Sequence, residues 1–293
     1  MSNNENVTYG IVEQVSPLIR RVVAANPSPF TLNGTGSYII GHGKVCVIDP
    51  GPQITAHIEA LLRAIRGEQL THILITHTHL DHSPAAAAVK QMTDATTYSY
   101  GPHCSRHDME SNAEEGVDFD FVPEVLLSDN DVIQGGGWTL EAIHTPGHTS
   151  NHLCFVLREE SALFSGDHVM GWSTTVVSPP DGHMGSYIES LEKLVGRNDE
   201  IYWPTHGASI KKPQKYVRSL VRHRQARELQ ILDCIKSDVC TVSDIVATIY
   251  HEVPTVLHYA AGRSVLAHLI HLWEQGLVAC EGMPSENKVF QMP

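Results

Sequence analysis

The stretch THTHLDHSP, residues 76–84, concentrates imidazole and carboxylate groups that could bind a metal. Residues that leave a strand stay extended, so His77 and His79 are expected to project to the same side. Asp81 and His82 follow, where the chain is expected to turn into a helix. Because zinc accepts imidazole nitrogen and carboxylate oxygen as ligands, the H-x-H-x-D-H spacing predicts a metal site at the carboxyl end of a strand.

Three more metal-capable residues stand at the ends of later strand-like segments. His148 follows a Pro-Gly turn in HTPGHTS, Asp167 ends the apolar run LFSGD, and His206 follows YWPT. Each of them alone could be an ordinary loop residue. Together with the first cluster, they predict one site assembled from several strand ends.

The elements that must position these residues alternate between strands and helices over the first two hundred residues. Apolar residues with a helical period predict a helix over 53–66. Ser83 and Pro84 are typical of a helix N-cap followed by proline at the first helical position. A loop is predicted for NPSPFTLNGTGSY, and strands are predicted for the segments IVEQV, LIRRVVA, KVCVIDPG, THILIT, TTYSY, FVPEVLL, WTLEAIHT, HLCFVLRE, ALFSGD and EIYW.

The sequence character changes near residue 211. Residues 211–237 read as one long amphipathic helix, 241–250 and 262–278 as two more, and 279–293 as a hairpin with its turn at 284–287. This order is the outline of a winged-helix-like domain. We therefore expect two domains, residues 1–210 and 211–293.

Composition limits the classes of function. The 293 residues are 42% hydrophobic and carry a net charge of −13, so any contact with nucleic acid must be local. No apolar run is long enough to span a bilayer, and the polar start MSNNENVTYG lacks the features of a signal or transit peptide, so a cytoplasmic location is expected. Widely spaced cysteines predict reduced, mostly buried thiols rather than disulfides, at positions 46, 104, 154, 234, 240 and 280.

The motifs NPSPFTLNGTGSYII, VIDPG, THTHLDH, HTPGHT, FSGD, GWSTTV and HG, taken together, resemble the metallo-β-lactamase superfamily. The similarity is greatest to the lactamase-β-like branch that carries a C-terminal winged-helix-like domain, and it covers nearly the whole chain. It implies an α/β (α+β) fold, an αββα four-layer sandwich with the site at one edge of two packed sheets. It also implies two Zn²⁺ per chain, one held by His77, His79 and His148, the other by Asp81, His82 and His206, with Asp167 bridging.

The resemblance implies a binuclear metal-dependent hydrolase that uses a metal-bound hydroxide. Two metals lower the pKa of bound water towards 7 and stabilise an anionic transition state. Asp81 is expected to orient the water or accept its proton as general base. Phe30 and Trp172 lie on loops that, by resemblance, overhang the metals and could form an apolar wall for substrate. Asp49 is either a residue behind the ligands or a simple turn aspartate, and His144 is expected to be structural. His168 could line the pocket, although a solvated side chain is the stronger expectation.

The metal site alone leaves the substrate open. Single-stranded RNA, cut by an endoribonuclease, is one class; the stretch 211–227, with seven basic and no acidic residues, could track its phosphates or be a solvated helix face. A small ester, thioester or lactone is the other, and the acidic net charge mildly favours it. The hypothesis of a β-lactamase that hydrolyses amides is weaker, because an export signal would be expected for it. Glyoxalase-II-like thioester hydrolysis is compatible, although the C-terminal segment differs.

Other classes use the same motif differently. A mononuclear iron sulfur dioxygenase is the alternative, and one iron per chain would contradict the zinc assignment. A flavodiiron reductase is disfavoured, because its motif resembles H-x-E-x-D and this chain has His79 at the position of the glutamate. A DNA-binding regulator would leave the ligand-type residues without a purpose. DNA binding is not expected, because the third C-terminal helix offers mainly Arg263, His268 and His271 as basic groups.

Overall fold

The computed structural model describes residues 7–103 and 116–293, so Cys104 lies outside the described residues. The chain divides into two compact units. The first comprises Met1–Thr145, Asn151–Thr174 and Asn198–Pro213; the second comprises Pro146–Ser150, Thr175–Arg197 and Gln214–Pro293. Each unit is described by itself.

The first unit contains a seven-stranded sheet whose strands lie side by side in chain order. They are β1 (Val12–Ser16), β2 (Ile19–Val23), β3 (Gly36–Ile40), β4 (Lys44–Ile48), β5 (Gln69–Leu74), β6 (Thr96–Ser99) and β7 (Val125–Leu126). The pairs from β1 to β4 are antiparallel, and those from β4 to β7 are parallel.

This unit also contains a six-stranded sheet, in the order β13-β12-β11-β10-β9-β8. Its strands are β8 (Val132–Gln134), β9 (Thr139–His144), β10 (Leu153–Leu157), β11 (Ala162–Gly166), β12 (Ile201–Pro204) and β13 (Ile210–Lys211). Only β11 and β12 pair in parallel.

Apolar faces explain why the two sheets pack. Tyr38, Ile48 and Leu74 of the first sheet share one buried cluster with Phe155 and Phe164 of the second. Such aromatic side chains are costly to remove from a core, about 3–5 kcal/mol for Phe to Ala. The other face of the first sheet is covered by helices α1 (Thr55–Ala64) and α2 (Ala85–Thr93), which contribute to a second buried cluster.

Most predicted elements are confirmed, and the exceptions have physical causes. Gly36–Tyr38, predicted as loop, belong to β3 because the backbone pairs with both β2 and β4. Pro84, not Ser83, is the N-cap of α2, and the Ser83 hydroxyl instead donates to Asp118. Of FVPEVLL, only two residues pair as β7.

The second unit is mainly helical. Its elements are α3 (Met184–Val195), α4 (Pro213–Lys236), α5 (Val242–Ile249), α6 (His258–Glu274), β14 (Ala279–Cys280) and β15 (Phe290–Gln291). The two short strands pair antiparallel, as the hairpin prediction requires. The third predicted helix is displaced, because α6 ends before Gly276. This glycine has a φ of +70°, and its N–H donates a hydrogen bond to the Trp273 carbonyl, which ends the helix.

A compact apolar core holds the C-terminal elements together. Ile231 of α4, Ile245 of α5 and Val265 and Leu269 of α6 pack with Phe290 of the hairpin. Thr241 caps α5, because its side chain accepts from the Asp244 amide. Among the described residues, none of the helices has the length and apolar character that a bilayer span requires.

Candidate metal centre

Strand ends bring six of the predicted ligands together in the first unit. The histidine cluster follows β5, Asp167 follows β11, and His206 follows β12. The donor atoms of His77, His82 and Asp167 all lie within 4.8 Å of one another, as do those of Asp81, His82 and His206. His82 is shared by both groups, so the two triads form one cluster. We call it the metal cluster: His77, His79, Asp81, His82, Asp167 and His206.

The outer ring nitrogens of three histidines are anchored by protein oxygens. His82 Nδ1 lies 2.9 Å from Asp49 Oδ2, His206 Nδ1 lies 3.2 Å from the Gly34 carbonyl, and His77 Nδ1 lies 3.0 Å from Thr76 Oγ1. Such contacts fix the tautomer and orientation of metal-binding histidines. The Nε2 atoms therefore face the cluster.

His79 joins the cluster through its other ring nitrogen. Its Nδ1 lies 3.0 Å from Nε2 of His77, and the two rings meet edge to face with centroids 4.6 Å apart. Two imidazole nitrogens that converge in this way suit two ligands of one ion.

Two carboxylates face the same pair of imidazoles. Asp81 Oδ2 lies 3.2 Å from His206 Nε2 and 3.3 Å from His82 Nε2. Asp167 Oδ2 lies 3.3 Å and 3.5 Å from the same two nitrogens. Asp81 and Asp167 thus approach the imidazoles through one oxygen each.

The electrostatics of the cluster follow from burial and opposite charge. Burial disfavours the imidazolium form, yet Asp167 and Asp81 together raise the pKa of His206 to about 10. Burial likewise opposes charge on His82, but Asp81, Asp167 and Asp49 hold its pKa well above the usual range. Despite burial, the same imidazoles hold the pKa of both Asp81 and Asp167 well below the usual range. The cluster therefore concentrates charges that only mutual pairing makes tolerable in a buried site.

The donor set fits a metal ion. Nitrogen and carboxylate oxygen are zinc ligands, and the shared His82 is completely buried. Within the described chain, His82 Nε2 makes no hydrogen bond of acceptable geometry, although it is shielded from water. A buried polar atom of this kind calls for an explanation, and an ion coordinated by it supplies one.

His148 follows β9 in the loop Pro146–Ser150, which groups with the second unit. Its Nδ1 lies 2.7 Å from the Val176 carbonyl, so this ring too is anchored through Nδ1. Its role as a ligand stays a prediction.

Asp49 does more than form a turn, because its carboxylate contacts the predicted ligand His82 and the neighbouring Thr76. Its Oδ2 contacts His82 Nδ1 and accepts from the Thr76 hydroxyl at 2.7 Å, and its Oδ1 accepts from the Thr76 amide at 2.8 Å. The carboxylate therefore links β4 to the start of the histidine cluster.

The prediction for His168 is wrong, whereas His144 behaves as expected. His168 is fully buried instead of solvated: it lies in the turn after β11, where its amide donates to the Ser165 carbonyl, and its ring lies 5.9 Å from that of His152. His144 stacks on Tyr100 with ring centroids 3.9 Å apart. His152, which has no metal-type spacing, is buried beside His77 and accepts from the Asp167 amide at 3.2 Å.

Of the two predicted wall residues, Trp172 has the clearer position. A Cβ added to Gly207, next to His206, would lie 3.0 Å from Trp172 Cδ1 and 3.6 Å from Leu32 Cδ2. Trp172 is 37% exposed, so part of its ring is open to solvent beside Gly207. Phe30 is partly buried in the neighbouring loop, and its amide donates to Ser28 Oγ.

Sequence reasoning missed Thr35 and Asn26. Thr35 Oγ1 donates to Asp81 Oδ2 at 2.9 Å, and the Asn26 side chain binds Thr35. The Asn, Gly and Pro content of this segment predicts a loop, and no local spacing connects it with residue 81.

The basic stretch 211–227 is partly used inside the second unit. Arg224 is buried, donates to the Thr175 carbonyl and lies over the Tyr187 ring. Arg227 lies over the Tyr250 ring. These two guanidinium groups serve packing, which weakens the interpretation of the stretch as a phosphate track.

This chain matches two known protein families. Residues 31–206 match the metallo-beta-lactamase superfamily, and residues 241–284 match the beta-lactamase associated winged helix domain. Beta-lactamase-like protein 2 homolog of Caenorhabditis elegans is 34% identical over 273 residues, covering 91% of this chain and 88% of that protein. Atrochrysone carboxyl ACP thioesterase AgnL7 of Paecilomyces divaricatus is 33% identical over 251 residues, covering 82% and 74%.

Solved structures share the fold at lower sequence identity. A beta-lactamase domain protein from Burkholderia ambifaria has a TM-score of 0.78 at 20% identity, covering 99% of this chain and 96% of its own. TTHA1623 in a di-iron-bound form has a TM-score of 0.52 at 23% identity, covering 67% and 96%. The αββα fold class with a winged-helix domain is thereby confirmed. This chain belongs to the metallo-β-lactamase superfamily of hydrolases.

Proposed function

We propose that the protein is a two-zinc hydrolase of small thioesters. The observation that carries the proposal is the metal cluster, in which two donor triads share His82. His77, His79 and His148 would hold one ion, Asp81, His82 and His206 the other, and Asp167 would bridge. When bound, the two ions supply Lewis acidity and acidify a water molecule near neutral pH.

The roles of the protein groups follow from their positions. Asp81, held at Oδ2 by Thr35, orients the attacking water and accepts its proton. The anchored histidines keep their places while negative charge develops on the substrate. Trp172 and Leu32, packed over Gly207, offer apolar surface to an acyl group.

Leaving-group chemistry favours a thioester over an amide. A thiol has a pKa of about 8.5, so it departs as a thiolate without being protonated first. An amine leaving group needs a general acid. His77, His82 and His206 have their outer nitrogens anchored and their inner nitrogens directed at the ion site, so these imidazoles are poorly suited to that role.

The relatives point the same way. AgnL7 is named as a thioesterase, and its identity of 33% extends over most of this chain. Single-stranded RNA is less favoured, since Arg224 and Arg227 of the basic stretch are engaged in packing. An iron-containing enzyme remains the alternative, because the same donor set also accepts iron.

The test measures metal content and hydrolysis on the same preparation. Purified protein is analysed for zinc and iron and is then reloaded with Zn²⁺. Hydrolysis of acyl thioesters is followed by thiol release, and the corresponding oxygen esters and labelled single-stranded RNA are assayed in parallel. Two zinc ions per chain and thiol release that Asp81→Asn abolishes are expected. The exposed Glu252→Gln variant is the matched control and should retain activity. Cleavage of RNA but not thioester, or one iron per chain, would contradict the proposal.

A further inference from the structure

The loop from Asn26 to Thr35 is connected to Asp81 by a directed set of hydrogen bonds. The Thr35 amide donates to Asn26 Oδ1 at 2.9 Å, and Asn26 Nδ2 donates to Thr35 Oγ1 at 3.0 Å. Thr35 Oγ1 lies 2.9 Å from Asp81 Oδ2. Thr31 closes the loop by donating to the Asn26 carbonyl at 2.6 Å.

The directions of these bonds are determined by chemistry. A backbone N–H can only donate, so the atom of Asn26 that faces it must be the carbonyl oxygen. The amide nitrogen of Asn26 then faces Thr35 Oγ1 and donates to it. A hydroxyl has a single proton, which leaves Asp81 Oδ2 as its acceptor. Asn26 therefore makes Thr35 an obligatory donor to Asp81.

Burial makes the arrangement hard to replace with water. Thr35 is 0% exposed. Gly34, next to it, has a φ of +116°, and a Cβ there would lie 2.1 Å from the Ala24 carbonyl oxygen, so only glycine fits. The Gly34 carbonyl in turn contacts His206 Nδ1. The loop thus contacts the metal cluster through two neighbouring residues.

We propose that Asn26 and Thr35 are positioning residues of the metal centre. Asn26 fixes the hydroxyl direction of Thr35, and Thr35 holds Asp81 Oδ2 in the orientation in which the carboxylate faces His82 and His206. The inference rests on the proposed role of Asp81 as ligand and water-orienting group. Neither residue touches the substrate, so both act through Asp81.

Three substitutions test the direction of the donor. Thr35→Val keeps the shape and removes the hydroxyl, whereas Thr35→Ser keeps the hydroxyl. Asn26→Asp still accepts from the Thr35 amide but has no proton to donate, so its second oxygen competes with Asp81 for the hydroxyl proton. Asn33→Asp adds the same charge to the same loop and serves as the matched control.

The readouts separate positioning from folding and from substrate choice. Zn²⁺ affinity is measured by competition with a chelator, the Co²⁺ absorption spectrum reports ligand geometry, and melting temperature reports folding. We expect Thr35→Val and Asn26→Asp to weaken metal binding about 10–100-fold and to change the Co²⁺ spectrum, since contacts behind ligands have effects of this size. Thr35→Ser and Asn33→Asp should stay near the wild type. In the thioester assay, kcat should fall while KM is kept.

Two results would overturn the inference. One is a wild-type affinity and Co²⁺ spectrum for Thr35→Val. The other is an equal loss in Thr35→Val and Thr35→Ser that follows a lower melting temperature. Because affinity and spectrum need no substrate, failure of the thioester assay alone would count against the proposed function and leave this inference standing.

Discussion

Two groups of histidines and carboxylates, one in each unit and each buried or half-buried, differ in where their ring nitrogens point. In the metal cluster, the outer nitrogens of His77, His82 and His206 are anchored and the inner ones converge. In the second group, the Glu228 cluster (Glu228, His268 and His271), both Nδ1 atoms face the same carboxylate oxygen, at 3.3 Å and 2.7 Å. In the metal cluster the inner ring nitrogens remain available to bind a common ion. In the Glu228 cluster the Nδ1 atoms of both histidines contact the Glu228 carboxylate instead.

The pKa values differ for the same reason. Burial, with Arg224 adding to it and Glu228 opposing it, lowers the pKa of His268 to about 4. The hydrogen bond to Glu228 raises the pKa of His271, and although burial opposes it, the two imidazoles lower the pKa of Glu228 to about 2. One carboxylate balances one imidazolium there. A histidine count therefore does not identify a metal site, whereas the direction of the nitrogens does.

The largest expected difference lies between two variants that each exchange a carboxylate for an amide, one in the metal cluster and one in the Glu228 cluster. Asp167→Asn should lower kcat/KM for a thioester on the order of a thousandfold, because a charged group facing both His82 and His206 is lost. Its zinc content should fall from two towards one per chain. Glu228→Gln, the same chemical change, should keep the zinc content and kcat/KM. Elemental analysis and thiol release measure both, and equal losses in the two variants would remove the distinction between the clusters.

A smaller effect is expected behind the ligands. Asp49→Asn should weaken Zn²⁺ binding about 10–100-fold, because the amide no longer provides a charged acceptor for His82 Nδ1. Chelator competition measures the affinity. Unchanged affinity would mean that Asp49 only organises the turn with Thr76.

The Glu228 cluster should show its role in stability rather than activity. Because its pKa is lowered to about 2, Glu228 contributes stability above its ordinary pKa of 4.5, and this is lost as pH falls from there to about 2. The pKa of His271 is raised, so its contribution is complete below 6.5 and is lost as pH rises through the raised value. Glu228→Gln should therefore lower the free energy of unfolding by about 1–3 kcal/mol, most strongly between pH 4.5 and 6.5.

Denaturant unfolding at pH 3, 5.5 and 8 measures this dependence. A deficit of equal size at all three values would assign the effect to packing instead of charge pairing.

The smallest effect concerns Trp172, which lies beside Gly207. Trp172→Ala should raise KM for thioesters with long apolar acyl groups about fivefold and leave acetyl thioesters unchanged, since about 1 kcal/mol of apolar contact is lost. Trp172→Leu should recover part of the lost affinity for the long acyl groups. Equal changes for both substrates would show that Trp172 packs against Gly207 without touching the acyl group.

Much of the metal cluster could be predicted from sequence because its chemistry is local. Four ligand-type residues stand in one strand-to-turn segment, and Asp167 and His206 each follow an apolar run. β11 and β12 are parallel neighbours, so Asp167 and His206 leave one sheet at the same edge, while β5 of the other sheet supplies the histidine segment. The burial of His168 and the strand β3 could not be predicted, because both depend on what the rest of the chain places around them.

The sequence by itself determined the residue types, their strand-end positions and the helix–helix–helix–hairpin order of the C-terminal part. Tertiary structure alone decided which nitrogen each histidine offers, since Asp49, Gly34 and Glu228 select it from distant positions in the chain. It alone joined Thr35 to Asp81, 46 positions away. The periodicity of apolar residues indicates which face of a helix or strand is buried. Hydrogen bonds between distant segments depend on how those segments pack, and no regular spacing in the sequence identifies their partners.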